Sequence, residues 1–244
     1  MRIDKLLANM GYGSRKDVKK LLRSGKVTVN GESVKDGKFQ VDPVKDTVLA
    51  LGEEVHYKEF VYFIMNKPPG FISATEDIQE QTVIDLLDPE DVIFQPFPVG
   101  RLDKDTEGLL ILTNDGQTAH QLLSPQKEVP KTYFAVINST VTEEDRKVFE
   151  KGVTLNDGYQ TKPANLEIIK SGIYSDVEIT ITEGKFHQVK RMFEAVGKKV
   201  LYLKRLSMGP IMLDETLEAG EYREMTEEEI QQIHSYVSSK TEHR

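Results

Sequence analysis

Hydrophobic and polar positions over the first 35 residues predict two helices followed by a hairpin. Apolar residues at helical spacing indicate the first helix, which two glycines end: Ile3, Leu6, Leu7 and Met10, then Gly11 and Gly13. Ser14 is placed to cap a second helix, whose apolar face is Val18, Leu21 and Leu22. Two short apolar runs then flank Asn30-Gly31, a residue pair typical of a tight hairpin turn.

The rest of the chain mixes predicted strands with predicted helices. Apolar runs or period-two alternation indicate strands at Val61 to Met65, Leu109 to Leu112, Tyr133 to Ile137, Val177 to Ile181 and Lys198 to Met208. In the last of these strands, the spacing predicts burial of Leu201, Leu203 and Leu206. Helices are predicted at Thr82 to Leu87, Gln117 to Leu123 with Asn114 as its cap, Thr142 to Glu150, and Val189 to Val196.

Turn residues divide the chain near residue 60. Residues 42–60 contain Pro43, several charges and one short apolar patch, which is typical of the end of a small domain and a linker. The predicted strand at Val61 to Met65 then enters a sharp turn, Asn66 to Gly70, with two prolines and a glycine. We therefore predict a small domain over residues 1–59 and a larger one over residues 60–244.

The distribution of charge is more informative than its total. The 244 residues carry a net charge of −8, but residues 1–26 hold eight lysines and arginines against two aspartates. Four of these cations lie mostly on the outward face of the predicted second helix: Arg15, Lys16, Lys19 and Lys20. Such a local field can bind phosphate although the total charge is negative, whereas a solvated helix face is the ordinary alternative.

Cysteine content and hydropathy narrow the classes of protein. The sequence has no cysteine, which excludes disulfides, thiol nucleophiles and thiolate metal sites. No apolar run is long enough to span a bilayer, and no apolar signal segment follows Met1. We therefore expect a cytoplasmic protein with no membrane partner.

The most informative stretch reads VGRLDKDTEGLLILTNDG and spans Val99 to Gly116. Three acids precede an apolar run that must be buried: Asp103, Asp105 and Glu107. A polar turn is the ordinary interpretation of the last two acids. A calcium loop is disfavoured, because its twelfth position would be Asn114 instead of a bidentate glutamate. The pattern favours one carboxylate beside a cation, and alternation along an extended segment points Arg101 and Asp103 the same way.

A second informative stretch, Glu183 to Met192, reads EGKFHQVKRM. The apolar stripe of its predicted helix leaves Lys190 and Arg191 on the flanks, where solvated cations are the ordinary interpretation. His187 alone would more often form a hydrogen bond at a helix start than catalyse a reaction. Tyr133, taken alone, fits a core aromatic residue of a strand.

Several separated motifs give the chain a family resemblance. Residues 2–31 resemble the S4-like, alpha-L RNA-binding fold of ribosomal small-subunit proteins, in which the second helix lies against RNA phosphates. The whole chain resembles the RsuA family of ribosomal RNA pseudouridine synthases. The motifs are MNKPPG at 65–70, GRLDKDTEGLLILTNDG at 100–116, KTY at 131–133, EGKFHQVKRMF at 183–193 and GEYREMTEEE at 220–229.

The resemblance implies a catalytic set. Asp103 would be the essential aspartate, and Tyr133 would stack near the target base and take part in proton transfer. Lys190 would pair with Asp103, at a position where most relatives outside this branch have arginine. An ionised carboxylate near the ribose can act as a nucleophile or as a base, and a nearby cation favours the ionised form. Both roles of Asp103 remain open.

The resemblance also implies residues around the base and the RNA backbone. Leu203 matches an apolar residue that packs the pocket, with Leu201 as the alternative. Arg101 either occupies the space that a flipped base vacates or braces Asp103. Two groups of cations are expected to contact RNA phosphates: Arg15, Lys16, Lys19 and Lys20 in the small domain, and Lys185, His187 and Arg191 in the larger one.

We therefore expect an α+β protein, with a small alpha-L RNA-binding domain and a catalytic domain built on a mixed, largely antiparallel sheet. The expected reaction isomerises a specific uridine of small-subunit (16S) ribosomal RNA to pseudouridine, without a cofactor or a metal. Small-subunit ribosomal RNA or its assembly intermediate is the expected partner, and the protein is expected to be a monomer. The alternatives are a sister branch acting on large-subunit (23S) ribosomal RNA, a noncatalytic ribosomal RNA-binding assembly protein, and a metal-dependent nuclease.

Overall fold

The structure is a computed structural model that describes residues 1–239 and divides into two compact units. The first unit comprises Met1–Val61 and Leu87–Pro96, and the second comprises Tyr62–Leu86 and the chain from Phe97 onward. The sequence-based division at residue 60 does not include residues 87–96 in the first unit. This segment packs closely against the end of the first helix, because a Cβ added at Gly11 would lie 2.5 Å from Ile93 Cδ1.

The first unit contains the predicted helix pair and hairpin. Its elements are α1 (Ile3–Asn9), α2 (Arg15–Arg23), β1 (Val27–Val29), β2 (Glu32–Ser33), β3 (Val48–Ala50), β4 (Glu53–Glu54) and α3 (Pro89–Val92). Ser14 begins α2 as predicted, in a capping box with Asp17. The four strands form an antiparallel sheet in the order β2-β1-β3-β4, and the predicted apolar faces of both helices enter the core.

The second unit alternates strands with four α-helices over the described residues. Its strands are β5 (Tyr62–Lys67), β6 (Phe97–Pro98), β7 (Glu107–Thr113), β8 (Lys131–Ile137), β9 (Asn165–Lys170), β10 (Ser175–Ile181), β11 (Val200–Met208), β12 (Ile211–Met212) and β13 (Tyr222–Glu224). Its helices are α4 (Gly116–Leu123), α5 (Glu143–Lys151), α6 (Gln188–Ala195) and α7 (Glu227–Ser239). No helix among residues 1–239 is long and apolar enough to cross a membrane.

One sheet organises the second unit. Its strand order is β13-β5-β7-β11-β8-β10-β9, with β6 paired to β7 and β12 paired to β11. The β7–β11 pair is parallel and the other pairs are antiparallel. The prediction of an α+β fold with a mixed, largely antiparallel sheet is therefore confirmed. The parallel pair lies between two segments distant in sequence, and it brings the end of the Asp103 loop beside β11.

Three local predictions need correction. Asp115, not Asn114, caps α4, because its Oδ1 accepts hydrogen bonds from the backbone N–H groups of Gln117 (2.9 Å) and Thr118 (3.1 Å). The predicted helix over residues 82–87 is a short 3-10 turn, Val83–Leu86. Leu201 is 51% exposed instead of buried, because the pairing register of β11 shifts between residues 200 and 202.

Candidate active site

A short loop before β7 holds Asp103. Ser73 fixes the start of the loop, because its Oγ donates to the carbonyl oxygen of Leu102 (3.1 Å) and accepts from the backbone N–H of Leu102 (3.0 Å). The backbone N–H of Thr106 donates to the carbonyl oxygen of Asp103 (3.0 Å) and closes a turn. Since these bonds use backbone atoms of Leu102 and Asp103, the carboxylate of Asp103 is available for other partners.

Lys67, the last residue of β5, braces the same loop. Its fully buried ammonium donates to the carbonyl oxygens of Pro68 (3.0 Å), Thr106 (2.9 Å) and Lys104 (3.4 Å). Burial lowers the pKa of Lys67 to about 8, although nearby carboxylates, Asp105 foremost, oppose the shift. The carbonyl contacts make Lys67 a positioning residue of the loop that carries Asp103.

Lys190, on α6, supplies the cation beside Asp103. Its Nζ lies 3.0 Å from Asp103 Oδ2 and 2.6 Å from Asp105 Oδ1. The side chain of Lys190 is 19% exposed and that of Asp105 is 74% exposed. Burial lowers the pKa of Lys190, but the hydrogen bonds to Asp105 and Asp103 outweigh burial and hold this pKa above the ordinary lysine value. Lys190 is therefore charged at neutral pH.

The turn into α6 brings a second basic side chain to Asp103. His187 adopts a left-handed backbone conformation (φ +49°) and places its Nε2 3.5 Å from Asp103 Oδ1. The buried carboxylate of Glu183 anchors this turn. It accepts hydrogen bonds from Tyr159 Oη (2.7 Å), the Gln188 side-chain amide (2.8 Å) and the Lys162 backbone N–H (3.0 Å).

Strands β8 and β11 form the floor of a cavity of about 320 Å³ that Asp103 lines. Tyr133 pairs across the strands with Arg205, and alternation places Lys131 and Leu203 on the same buried face. All four residues line the cavity. Its volume lies at the lower end of the range of roughly 300–1,000 Å³ for small-ligand pockets, so it suits one small ring system.

Close packing of β7 against β11 depends on Gly108. This residue has φ +97°, and an added Cβ would lie 2.3 Å from the carbonyl oxygen of Arg205. Arg205 Nε donates to the carbonyl oxygen of Leu109 at 2.7 Å, which ties the two strands together. A side chain at position 108 would push β11 away and separate the cavity floor from the Asp103 loop.

The structure brings most of the predicted site residues together. Asp103, Tyr133 and Leu203 line the cavity, and Lys190 contacts the carboxylate of Asp103. Leu201, the alternative to Leu203, is exposed. Arg101 lines the cavity and is exposed. The predicted ion pair between Arg101 and Asp103 is not found among the described residues, and the basic side chains within reach of the carboxylate are Lys190 and His187.

The residues predicted to contact phosphate lie in three settings. Lys185 and His187 line the cavity, with Lys185 Nζ 4.9 Å from the ring centroid of Tyr159. Arg191 forms an ion pair with Asp157. In the first unit, α2 exposes its four predicted cations: Arg15, Lys16, Lys19 and Lys20.

Two buried cations of the cavity floor, Lys131 and Arg205, are absent from the sequence-based predictions. Lys131 opens the KTY motif and Arg205 follows Leu203 by two residues, so strand alternation was the available signal. Lys131 Nζ donates to the carbonyl oxygen of Val129 at 2.9 Å. Burial, and then the nearby Arg205 guanidinium, lower the pKa of Lys131 to about 8.

The arrangement is suited to acid–base or nucleophilic chemistry on a small ring. It combines a carboxylate next to a charged lysine with a tyrosine on the floor of the cavity. Among residues 1–239, no group of three or more histidine, aspartate or glutamate side chains is placed to hold a metal ion.

Comparison with known proteins relates both parts of the chain to families. The RNA pseudouridylate synthase family matches residues 61–195, and the S4 domain family matches residues 1–48. The chain is 58% identical to the "uncharacterized RNA pseudouridine synthase YtzG" of Bacillus subtilis, over 94% of this chain and 97% of that protein. It is 41% identical to the "ribosomal small subunit pseudouridine synthase A" of Escherichia coli K12, over 96% of this chain and 100% of that protein.

A solved structure gives the same relationship in three dimensions. A crystal structure of a pseudouridylate synthase covers 96% of this chain, and the match covers 99% of that protein. The two chains are 37% identical, and their TM-score is 0.67. The sequence motifs and the fold therefore point to one family.

Proposed function

Since the chain belongs to the RNA pseudouridylate synthase family and is an RNA pseudouridine synthase, we propose that it isomerises one uridine of small-subunit ribosomal RNA. The observation that carries the choice of substrate is the 41% identity, over nearly the full length of both chains, to proteins named small subunit pseudouridine synthase A. An S4 domain in front of the synthase region agrees with a structured RNA as the substrate.

Asp103 is the proposed essential carboxylate. The reaction breaks the bond from ribose C1′ to base N1, turns the base and joins C5 to the same carbon. Lys190 Nζ, 3.0 Å from Asp103 Oδ2, sets a positive charge beside the carboxylate and restrains its position, so that Asp103 can attack or deprotonate the ribose. The exposed side chain of Asp105 binds the other side of the ammonium and restrains Lys190.

Tyr133 is the proposed partner of the base. Its ring lies on the cavity floor, where it can support one face of the detached uracil, and its hydroxyl can take part in removing the C5 proton. Leu203 closes the same floor with an apolar surface. Arg101 is the proposed residue that enters the space left by the flipped nucleotide in the RNA, and its exposure at the cavity supports this role.

The cations of α2 are proposed to bind RNA phosphates without reading bases. Replacing Arg15, Lys16, Lys19 and Lys20 by alanine should reduce the slope of log affinity against log salt by about 3, as expected for four contacts to single-stranded RNA. Isomerisation of the saturated complex should change little. An unchanged slope would remove α2 from the RNA interface.

The reaction and the substrate are tested together with RNA that carries tritium at uridine C5. Isomerisation releases this tritium, so the purified protein is incubated with small-subunit and large-subunit ribosomal RNA and with precursors of each subunit. We expect release from the small-subunit substrates, and Asp103→Asn should lower it by about 10⁴-fold while RNA binding persists. Release from large-subunit substrates alone would overturn the proposed target and leave the chemistry intact.

A further inference from the structure

Two cations on the cavity floor have no acidic partner. Lys131 and Arg205 are 9% and 2% exposed, and neither forms an ion pair with a carboxylate among residues 1–239. Nη2 of Arg205 is buried and lacks any hydrogen-bond partner within the described chain. Buried charges are normally paired, because removal from water is costly. This floor therefore holds two positive charges that no carboxylate among residues 1–239 contacts directly.

The two cations flank the residue that is proposed to support the base. Tyr133 lies two residues after Lys131 on β8 and directly across from Arg205 on β11, and all three side chains line the same cavity. The carboxylate of Asp103 belongs to a different wall, the loop before β7, where Lys190 and His187 face it. The positive floor and the carboxylate therefore lie on different parts of one cavity.

The reaction creates a negative charge at the floor. When the bond from C1′ to N1 breaks, both of its electrons pass to N1 and spread over O2 and O4, so the base leaves as an anion. The later bond from C1′ to C5 uses an electron pair of the base. A base, for which the Tyr133 hydroxyl is the proposed participant, then removes the C5 proton, and N1 takes up a proton from solvent, so the product is a neutral isomer of uridine. Donors fixed in advance at the site of developing charge stabilise such a step strongly, because they need no rearrangement.

We propose that Lys131 and Arg205 bind the oxygen atoms of the detached uracil and stabilise it as an anion. This inference rests on the isomerase activity and does not depend on which ribosomal RNA is the substrate. The ammonium of Lys131 supplies a point charge held by its bond to the Val129 carbonyl, and the guanidinium of Arg205 supplies a planar donor held by its bond to the Leu109 carbonyl. A purely structural role would favour an apolar residue at position 131, since a buried, unpaired ammonium destabilises the fold.

The first test compares three variants in single-turnover assays, with any RNA that the wild type isomerises. Lys131→Met should lower the rate of the saturated complex by about 100-fold with little change in RNA affinity. Lys131→Arg keeps the charge and should retain most of the rate. Lys198→Met is the matched control, because Lys198 is a partly buried lysine of the same unit, 15% exposed in its side chain, that pairs with Asp145 at 2.7 Å. It should leave the rate unchanged.

The second test changes the stability of the leaving anion. Fluorine at C5 withdraws electrons and makes uracil a better leaving group, so RNA with 5-fluorouridine at the target needs less help from the floor. Scission of its glycosidic bond is followed by nuclease digestion and mass spectrometry. The ratio of the wild-type rate to the Lys131→Met rate should be about 10-fold smaller with 5-fluorouridine than with uridine. A misfolded site would instead give the same ratio with both substrates.

Two results would overturn the proposal. One is a rate for Lys131→Met within about 3-fold of the wild type, and the other is an equal defect with uridine and 5-fluorouridine. If Lys131→Met fails to fold, Arg205→Lys carries the same pair of measurements, because it keeps the charge but removes the fork of donors. Failure of the small-subunit target would be recognised separately, by turnover of another ribosomal RNA by the wild type.

Discussion

Lys190 and Lys131 lie in opposite electrostatic surroundings: Lys190 contacts Asp103, which lines the cavity, and Lys131 lines the cavity itself. Lys190 lies between the carboxylates of Asp103 and Asp105, which raise its pKa in spite of partial burial. Lys131 has a backbone carbonyl as its hydrogen-bond acceptor and Arg205 nearby, so burial and repulsion lower its pKa to about 8. The same residue type is therefore paired with carboxylates at one position and has only a backbone carbonyl as its hydrogen-bond acceptor at the other.

The two lysines therefore differ in how they affect the stability of the protein without substrate. The Lys190 cluster satisfies its own charges before the substrate arrives. The floor at Lys131 and Arg205 gains its counter-charge only when the base becomes an anion, so it destabilises the empty protein. Such local destabilisation at a functional site is a common reason why activity and stability conflict.

The largest effect is expected at the paired lysine. Lys190→Ala removes the ammonium that bridges the carboxylates of Asp103 and Asp105, which leaves two like charges close together and frees the Asp103 side chain. We expect the single-turnover rate to fall by about 10³-fold or more, with a cooperative unfolding transition retained. Lys190→Arg should recover much of the rate. A near-normal rate in the alanine variant would remove Lys190 from the site.

The second effect is a loss of activity at high pH. Because the pKa of Lys131 lies near 8 in the folded protein, the wild-type single-turnover rate should fall about 10-fold for each pH unit above that value. Lys131→Arg, whose guanidinium stays charged, should move this decline to higher pH. If the rate of Lys131→Arg still falls above pH 8, the decline would be assigned to deprotonation of Lys67, whose pKa is also about 8.

The third effect is a gain in stability for Lys131→Met, the same substitution that lowers the rate. Lys131→Met should raise the free energy of unfolding by about 2 kcal/mol at pH 7, measured in urea, because it removes an unpaired buried charge. The folded pKa of about 8 lies below the ordinary value of 10.5, so the unfolded chain binds more protons between these values. Wild-type stability therefore gains with pH in that window, and the advantage of the variant should shrink between pH 8 and pH 10.

The smallest effect is expected at Asp105. Its side chain is 74% exposed, so solvent screens much of its attraction to Lys190. Asp105→Asn should lower the rate by about 3-fold, because Asp103 still holds the ammonium. A loss as large as that of Asp103→Asn would mean that the two carboxylates share the essential role.

Local patterns predicted the elements well where one physical signal dominated. The apolar spacing of α1 and α2, the capping Ser14 and the alternation of β10 each depend on neighbours within a few residues. Predictions failed where two neighbouring residues could fill the same role, or where pairing with a strand distant in sequence decided which side chains are buried. Asp115 replaced Asn114 as a cap one residue away, and the register shift in β11 turned Leu201 toward solvent.

The sequence by itself determined the family and the order of elements, because its motifs are contiguous and specific, and it predicted Asp103, Tyr133 and Lys190 as site residues. Tertiary structure alone decided the charge balance of the cavity. The pairing of β7 with β11 joins residues about 100 positions apart, and the burial of Lys131 and Arg205 depends on which face of each strand the sheet covers. A cation's partners are set by distances across the sheet, which no local pattern encodes.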